Sequence, residues 1–153
     1  MVGPVCKVDP THLPRRQNLY WLGGRDYSQL PAYTKALDVC LMPFALNEAT
    51  EFINPTKALE YMATGTPIVS SAVPDVVSNF AAVVKIANNQ DEFIEMCRVA
   101  ISQPDEVAIE RGLKMADANT WDAIVSKLEA HIDKAISQKT IAGENDGLAT
   151  SAA

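Results

Sequence analysis

The chain has 153 residues, of which 48% are apolar and 21% charged, as in an ordinary soluble globular domain. Its net charge of −6 and pI of about 4.8 disfavour binding to nucleic acid or to anionic membranes. Two of the three cysteines fall inside apolar runs and no CxxC pair occurs, which fits the reducing cytoplasm. There is no signal peptide, and no apolar run approaches the roughly 20 residues of a membrane helix. We therefore expect a cytoplasmic domain with no nucleic-acid partner.

Short apolar runs alternate with helical patterns along the chain. The predicted order is strands at 2–5 and 19–22, a helix at 27–37, a strand at 39–44, a helix at 55–64, a strand at 67–71, a short helix after Pro74, a strand at 83–86, and helices at 91–102, 105–118 and 121 to about 139. The run at 39–44 is apolar throughout, as in a strand that is buried on both faces. Strands that alternate with helices predict an α/β fold with a mostly parallel sheet and helices on both faces.

The last helix and the C-terminal segment have contrasting compositions. Apolar side chains recur at four-residue spacing in the helix, so we expect this stripe to pack on the domain: Ile124, Leu128, Ile132 and Ile136. From Thr140 the chain becomes rich in Gly, Asn, Ser and Ala. Residues 140–153 are therefore predicted to form a flexible tail that follows a single domain over 1–139.

The helix predicted at 55–64 carries two charged residues in an unusual setting. Asn54 is a candidate N-cap, and Gly65 is a candidate left-handed stop. Lys57 lies in the first turn, where the helix dipole disfavours a cation, and Glu60 shares its face three residues later. A lysine for phosphate oxygens and a carboxylate for sugar hydroxyls would suit a nucleotide. The alternative is an exposed ion pair that contributes a few tenths of a kcal/mol.

The loops at the carboxyl ends of the predicted strands are where a parallel sheet binds ligands. Gly23 and Gly24 follow the second strand and would let the backbone approach a ligand, while Arg25 offers a cation. Taken alone, the two glycines favour a simple turn. Their position at the same edge as Asn54 and Lys57 is what favours a binding role.

The segments 54–57 and 60–69 together resemble the donor-binding signature of GT-B-fold glycosyltransferases of bacterial polysaccharide and exopolysaccharide synthesis. The segments 18–23 and 38–44 are similar to the same family, and the resemblance covers roughly residues 2–136. It implies a Rossmann-like donor domain, half of a GT-B fold. The expected activity is transfer of a hexose-type sugar from a UDP- or GDP-sugar to a carbohydrate acceptor.

The resemblance also implies roles for individual residues. Glu60 would bind the ribose hydroxyls and Lys57 the diphosphate of a nucleotide-sugar. Asn54 begins the same motif, and Gly23, Gly24 and Arg25 would lie near the base and phosphates by position. No cofactor or bound metal is expected, which agrees with the absence of a DxD motif or a His/Asp cluster. No catalytic residue is assigned, and attachment of the full-length enzyme to the membrane periphery stays open.

Two departures from the family pattern shape the remaining expectations. Phe52 stands where many relatives carry a second glutamate, and the sequence lacks the family's opening strand–glycine-loop unit and its N-terminal acceptor domain. We therefore expect a fragment that is inactive alone. Unpaired strand edges would favour a homo-oligomer or a strand-swapped dimer. The alternatives are a sugar-nucleotide epimerase of the same fold and a non-catalytic oligomerising or regulatory module.

Overall fold

The computed structural model describes the backbone of residues 1–149 and the side chains of residues 1–139. Its centre is a parallel sheet with the order β1-β2-β3, formed by Cys40–Met42, Ile68–Ser71 and Lys85–Ala87. The α-helices are α1 (Leu30–Lys35), α2 (Lys57–Met62), α3 (Pro74–Phe80), α4 (Gln90–Ser102), α5 (Glu106–Asp117) and α6 (Trp121–Ala149). Short 3-10 helices occupy Pro10–His12, Tyr27–Gln29 and Glu48–Thr50. The predicted α/β class with a parallel, Rossmann-like sheet is confirmed.

Helices cover both faces of the sheet. Successive residues of β2 point to opposite faces and so contact different helices. Ile68 belongs to the main core cluster, together with residues of α2 and α3: Ala58, Met62, Val76 and Phe80. Val69 points to the other side, where α4 packs on β2 and β3, and it is fully buried. Both crossovers run in the same direction along the sheet, which places α2 and α3 on one face.

Two glycines allow α2 and α5 to pack closely. Gly65 has a φ of +69° and its N–H bonds the Met62 carbonyl at 3.0 Å, so it ends α2 as predicted. Gly112 lies in α5, and a Cβ there would come within 2.9 Å of Val83 Cγ1 and 3.3 Å of Met62 Cγ. The contact between α5 and α2 therefore depends on the absence of a side chain at Gly112.

The strands predicted at 2–5 and 19–22 are not regular strands. Three backbone hydrogen bonds join the two segments, from Met1 N to Tyr20 O (2.8 Å), from Leu22 N to Met1 O (3.0 Å) and from Gly3 N to Gly23 O (2.9 Å). Over the described backbone, no hydrogen bond connects either segment to β1. Parallel pairing needs cover on both faces, and an isolated pair of short segments does not provide it.

The prediction that the run at 39–44 is buried on both faces is wrong for β1. Cys40 and Met42 are buried, but Leu41 is 45% exposed. Leu41 pairs in register with Val69 and so faces the α4 side, yet α4 packs on β2 and β3. The backbone N–H of Cys40 bonds the Pro67 carbonyl, on the side of β2. Backbone groups of successive residues in a parallel strand point alternately to the two neighbouring positions, so the N–H and C=O of Leu41 point to the outer edge.

The expectation that the stripe of the last helix packs on the domain is also wrong. Its apolar side chains are 41–60% exposed: Ile124, Leu128, Ile132 and Ile136. The helix continues past the predicted end near 139 to Ala149. The flexible tail predicted for 140–153 stays a prediction, because the side chains from 140 and the backbone from 150 lie outside the described residues. Among the described helices, α6 included, none combines the length and apolar content needed to cross a bilayer.

Replacing Gly65 by alanine tests the left-handed stop of α2. The new Cβ would meet only ordinary contacts at 3.8 Å, so the cost comes from the backbone conformation at φ +69°. We expect Gly65→Ala to lower the free energy of unfolding by about 1–2 kcal/mol in urea titrations. Gly24→Ala is the matched control, because Gly24 has no positive φ and nothing within 4 Å of an added Cβ. Equal stability of the two variants would contradict this account.

The three free thiols differ in burial, and their reactivity should follow. Burial raises the pKa of the Cys40 thiol to about 11, and burial also raises the pKa of half-buried Cys97, whereas Cys6 is exposed. Because the thiolate is the nucleophile, iodoacetamide at pH 8 should modify Cys6 at least about tenfold faster than Cys40. Mass spectrometry of timed digests measures the rates. In urea the three rates should converge, and equal rates in the native protein would overturn the assignment.

Candidate nucleotide-sugar site

Lys57 and Glu60 are brought together at the start of α2. Lys57 is the first helical residue, and its Nζ lies 2.5 Å from Glu60 Oε2. Their side chains are 51% and 38% exposed, so water and solutes reach both. The hydrogen bond with Glu60 raises the pKa of Lys57, although partial desolvation opposes this effect. Lys57 therefore stays protonated at neutral pH and can act as a cation.

The Lys57–Glu60 ion pair is weak enough to be exchanged for a ligand. An exposed pair of this kind is worth at most about 1 kcal/mol. A diphosphate that takes over Lys57 and a hydroxyl that donates to Glu60 would each form a charge-assisted hydrogen bond of about 1.5–3 kcal/mol. The geometry is compatible with the predicted roles, and it is equally that of the alternative exposed ion pair.

Asn54 does not cap α2, so this sequence prediction is wrong. Thr56 precedes the first helical residue with helical backbone angles and no side-chain cap bond. The Asn54 carbonyl instead accepts the Thr56 N–H at 3.0 Å, and Ala58 N bonds Pro55 O at 3.0 Å. This tight turn at buried Pro55 delays the helix start by two residues relative to the predicted start at 55. With six residues α2 is short, so the charge of Lys57 matters more here than the helix dipole.

Gly23, Gly24 and Arg25 form a loop at the surface. A Cβ at Gly23 or Gly24 would meet nothing within 4 Å, so the backbone there borders open space. Arg25 is turned toward Tyr33, with Nε 2.9 Å from the Tyr33 hydroxyl and the guanidinium 5.7 Å from the ring centre. Its Nη1 donates to the Gly24 carbonyl at 2.8 Å. In this arrangement Arg25 stabilises its own loop.

Tyr27 follows the Gly23-Gly24 loop and begins the short 3-10 helix Tyr27–Gln29. No binding role was predicted for it from the sequence. Tyr27 is 74% exposed. The hydrogen bond with Glu60 is the main cause of the raised pKa of Lys57, and the ionised form of Tyr27 contributes least to it. We group exposed Tyr27 with the Lys57–Glu60 pair, whose side chains are also exposed. We call these three residues the α2 site.

A cavity of about 440 Å³ opens at the carboxyl ends of the strands. We call it the carboxyl-edge cavity and define it by six lining residues: Phe44, Leu46, Ser71, Asn88, Phe93 and Ile94. No residue that lines it is charged. None of the residues predicted to bind a ligand contributes to its lining, and no residue of the loop after β3 was among those predicted. The signal available was the rule that ligands bind where parallel strands end.

Metal binding has no candidate cluster among the described side chains. No three His, Cys, Asp or Glu residues of that part of the chain lie close enough to share an ion. Metal independence stays a prediction.

Comparisons with known proteins agree with the resemblance. The family described as "Glycosyl transferases group 1" matches residues 3–103. A similar protein is the "Putative teichuronic acid biosynthesis glycosyltransferase TuaH" of Bacillus subtilis (strain 168), with 25% identity over 134 residues. The alignment covers 83% of this chain and 34% of the relative, so the chain spans about a third of that protein's length. The family match takes in β1, β2, β3 and the α2 site, and the chain belongs to the group 1 glycosyltransferases.

Proposed function

We propose that this chain is the nucleotide-sugar-binding part of a glycosyltransferase that moves a hexose-type sugar from a UDP- or GDP-sugar to a carbohydrate acceptor. The observation that carries the proposal is the exposed Lys57–Glu60 pair, 2.5 Å apart, inside the segment that matches the family. The name of the Bacillus relative, which refers to teichuronic acid biosynthesis, supports polysaccharide synthesis as the setting.

The α2 site offers a distinct group to each part of a nucleotide. The Lys57 ammonium would donate to the diphosphate and stabilise the negative charge that grows on it as the sugar leaves. The Glu60 carboxylate would accept hydrogen bonds from the ribose hydroxyls. The exposed ring of Tyr27 would offer a surface on which the base can stack. With a lysine as the counter-charge, the proposal needs no bound metal or other cofactor, and it leaves the catalytic base unassigned.

In this proposal the acceptor and its site belong to another domain, so the chain alone binds the donor without turnover. The epimerase alternative needs a catalytic acid and a catalytic base, and no residue of the described chain is assigned to either role. It predicts a new sugar epimer when the protein is incubated with UDP-glucose, which proton NMR of the mixture would detect. The non-catalytic module predicts no nucleotide binding.

Calorimetry with UDP and GDP tests the α2 site directly. Lys57→Ala and Glu60→Ala should each raise the Kd of the nucleotide that binds more tightly by about 10- to 100-fold, because each removes a charge-assisted hydrogen bond. The matched control is the exposed pair Lys114–Glu110 on α5, 2.7 Å apart, where Lys114→Ala and Glu110→Ala should leave Kd unchanged. No binding of either nucleotide to the wild type would sink the proposal, as would an equal loss in the control variants.

The outer edge of β1 also supports the proposal of self-association. Leu41 is 45% exposed there, beside backbone groups that β2 does not pair. A second copy could pair with this edge as a dimer. We expect light scattering to show a mass that rises with protein concentration, and Leu41→Lys to suppress the rise because an edge charge blocks pairing. A strictly monomeric wild type at high concentration would contradict it.

A further inference from the structure

The carboxyl-edge cavity contains a serine hydroxyl that has no hydrogen-bond partner among the described side chains and backbone. Ser71 is only 9% exposed and lines the cavity at the end of β2. It alternates with Ser70, whose hydroxyl bonds the Ser71 and Met42 carbonyls. Among the described residues, no group forms a hydrogen bond with the Ser71 hydroxyl. Every fully enclosed polar side-chain atom of those residues has a partner, so the Ser71 oxygen is not fully enclosed. The Ser71 oxygen therefore keeps its contact with the cavity space, where it can donate or accept.

The polar rim of the cavity is fixed by a carboxylate outside it. Glu92 Oε2 accepts from the Asn88 backbone N–H and side-chain amide, both at 2.9 Å, and Glu92 Oε1 accepts from the Asn89 amide at 2.8 Å. These bonds hold the pKa of Glu92 below its ordinary value, so the carboxylate is ionised at neutral pH. Each amide nitrogen donates one of its two hydrogens to this carboxylate, and the Asn88 side-chain oxygen remains an acceptor at the rim.

The walls and the charge state restrict what the cavity can take. Phe44 and Phe93 supply aromatic surface, and Leu46 and Ile94 supply aliphatic surface. An anion is disfavoured because Asp91 and Glu92 lie in the first turn of α4 beside the rim, and Asn89 already caps that helix. The suitable ligand is uncharged, with an apolar face for the phenylalanines and hydroxyls for Ser71 and Asn88.

We propose that the carboxyl-edge cavity binds an uncharged sugar ring, with Ser71 and Asn88 bonding its hydroxyls and Phe44 and Phe93 flanking its apolar face. This inference rests on the proposed function, which supplies sugars as the substrate class. The ring can come from the donor nucleotide-sugar or from a free glycan. The chemistry of recognition is the same, and the test separates the two sources.

The experiment is an NMR titration of ¹⁵N-labelled protein with two series of probes. One compares UDP with UDP-glucose and GDP with GDP-mannose; the other uses the methyl glycosides of glucose, galactose, mannose and N-acetylglucosamine. A sugar in the cavity should shift the amides of Ser71, Asn88 and Phe93 beyond any shift caused by the nucleotide alone. Ser71→Ala should weaken this sugar-dependent binding about fivefold, the worth of one neutral hydrogen bond, and leave the affinity for UDP and GDP unchanged.

Two further variants serve as a second test of the cavity and as a control. Phe93→Leu keeps an apolar side chain but removes the ring, and it should also weaken sugar binding. Ser78→Ala changes an exposed serine on α3 that does not line the cavity, and it should have no effect. Shifts with nucleotide-sugars alone assign the cavity to the donor; shifts with a methyl glycoside assign it to a free glycan.

The failures are distinguishable. Nucleotide binding without any sugar-dependent shift at the cavity overturns this inference and leaves the α2 site standing. A glycoside shift without nucleotide binding overturns the proposed function and retains the sugar site. No response at the cavity to any probe overturns the inference.

Discussion

The domain depends on the burial of β2 between β1 and β3. All four residues of this strand are buried, and they touch two separate layers. Ile68 packs into the cluster shared with α2 and α3, while Val69 lies under α4. Burial of these apolar groups, at about 25 cal/mol per Å², is the force that holds the helices to the sheet. It also brings the carboxyl ends of the three strands to one edge, where the loops that carry polar chemistry meet.

Two acidic residues near that edge, Glu60 and Glu92, have different roles because their hydrogen-bond partners differ. Glu60 faces one lysine in an exposed pair, and each member can exchange the other for a ligand at small cost. Glu92 bonds two asparagines through three hydrogen bonds, so its carboxylate is committed to shaping a loop. The first arrangement suits a residue that binds a ligand, and the second suits one that positions its neighbours.

The sequence predicted the order of helices and strands better than it predicted which of their apolar side chains are buried. The alternation of strands and helices from β1 onward, and the glycine that ends α2, follow from local periodicity and backbone geometry, and both were correct. Leu41 and the stripe on α6 were expected to be buried and are exposed, because periodicity tells which side chains share a face but not which surface that face meets. Asn54 failed as a cap because a tight turn at Pro55, formed by local backbone hydrogen bonds, moved the helix start to Lys57.

The site was predictable to a similar degree. The contact between Lys57 and Glu60 follows from their spacing on one helix, and the structure shows it. The alignment of Ser71 with Asn88 and Phe93 does not follow, because it depends on the register of β2 with β3 and on how α4 crosses them. Such constellations arise only when distant segments are packed, and no local pattern marks them.

The strand order has a consequence for how the chain reaches this structure. Each strand pairs with the next one along the sequence, and the helices between them pack on the same strands. The segments that must close to form the sheet each contain a crossover helix, α2 or α3, so their closure costs more entropy than that of a hairpin turn. Parallel strands pair only across such crossovers, so we expect residues 40–117 to fold as one cooperative unit, more slowly than a helical bundle of the same size. The segment before β1 is then expected to join late and to open first, as a separate and less stable foldon.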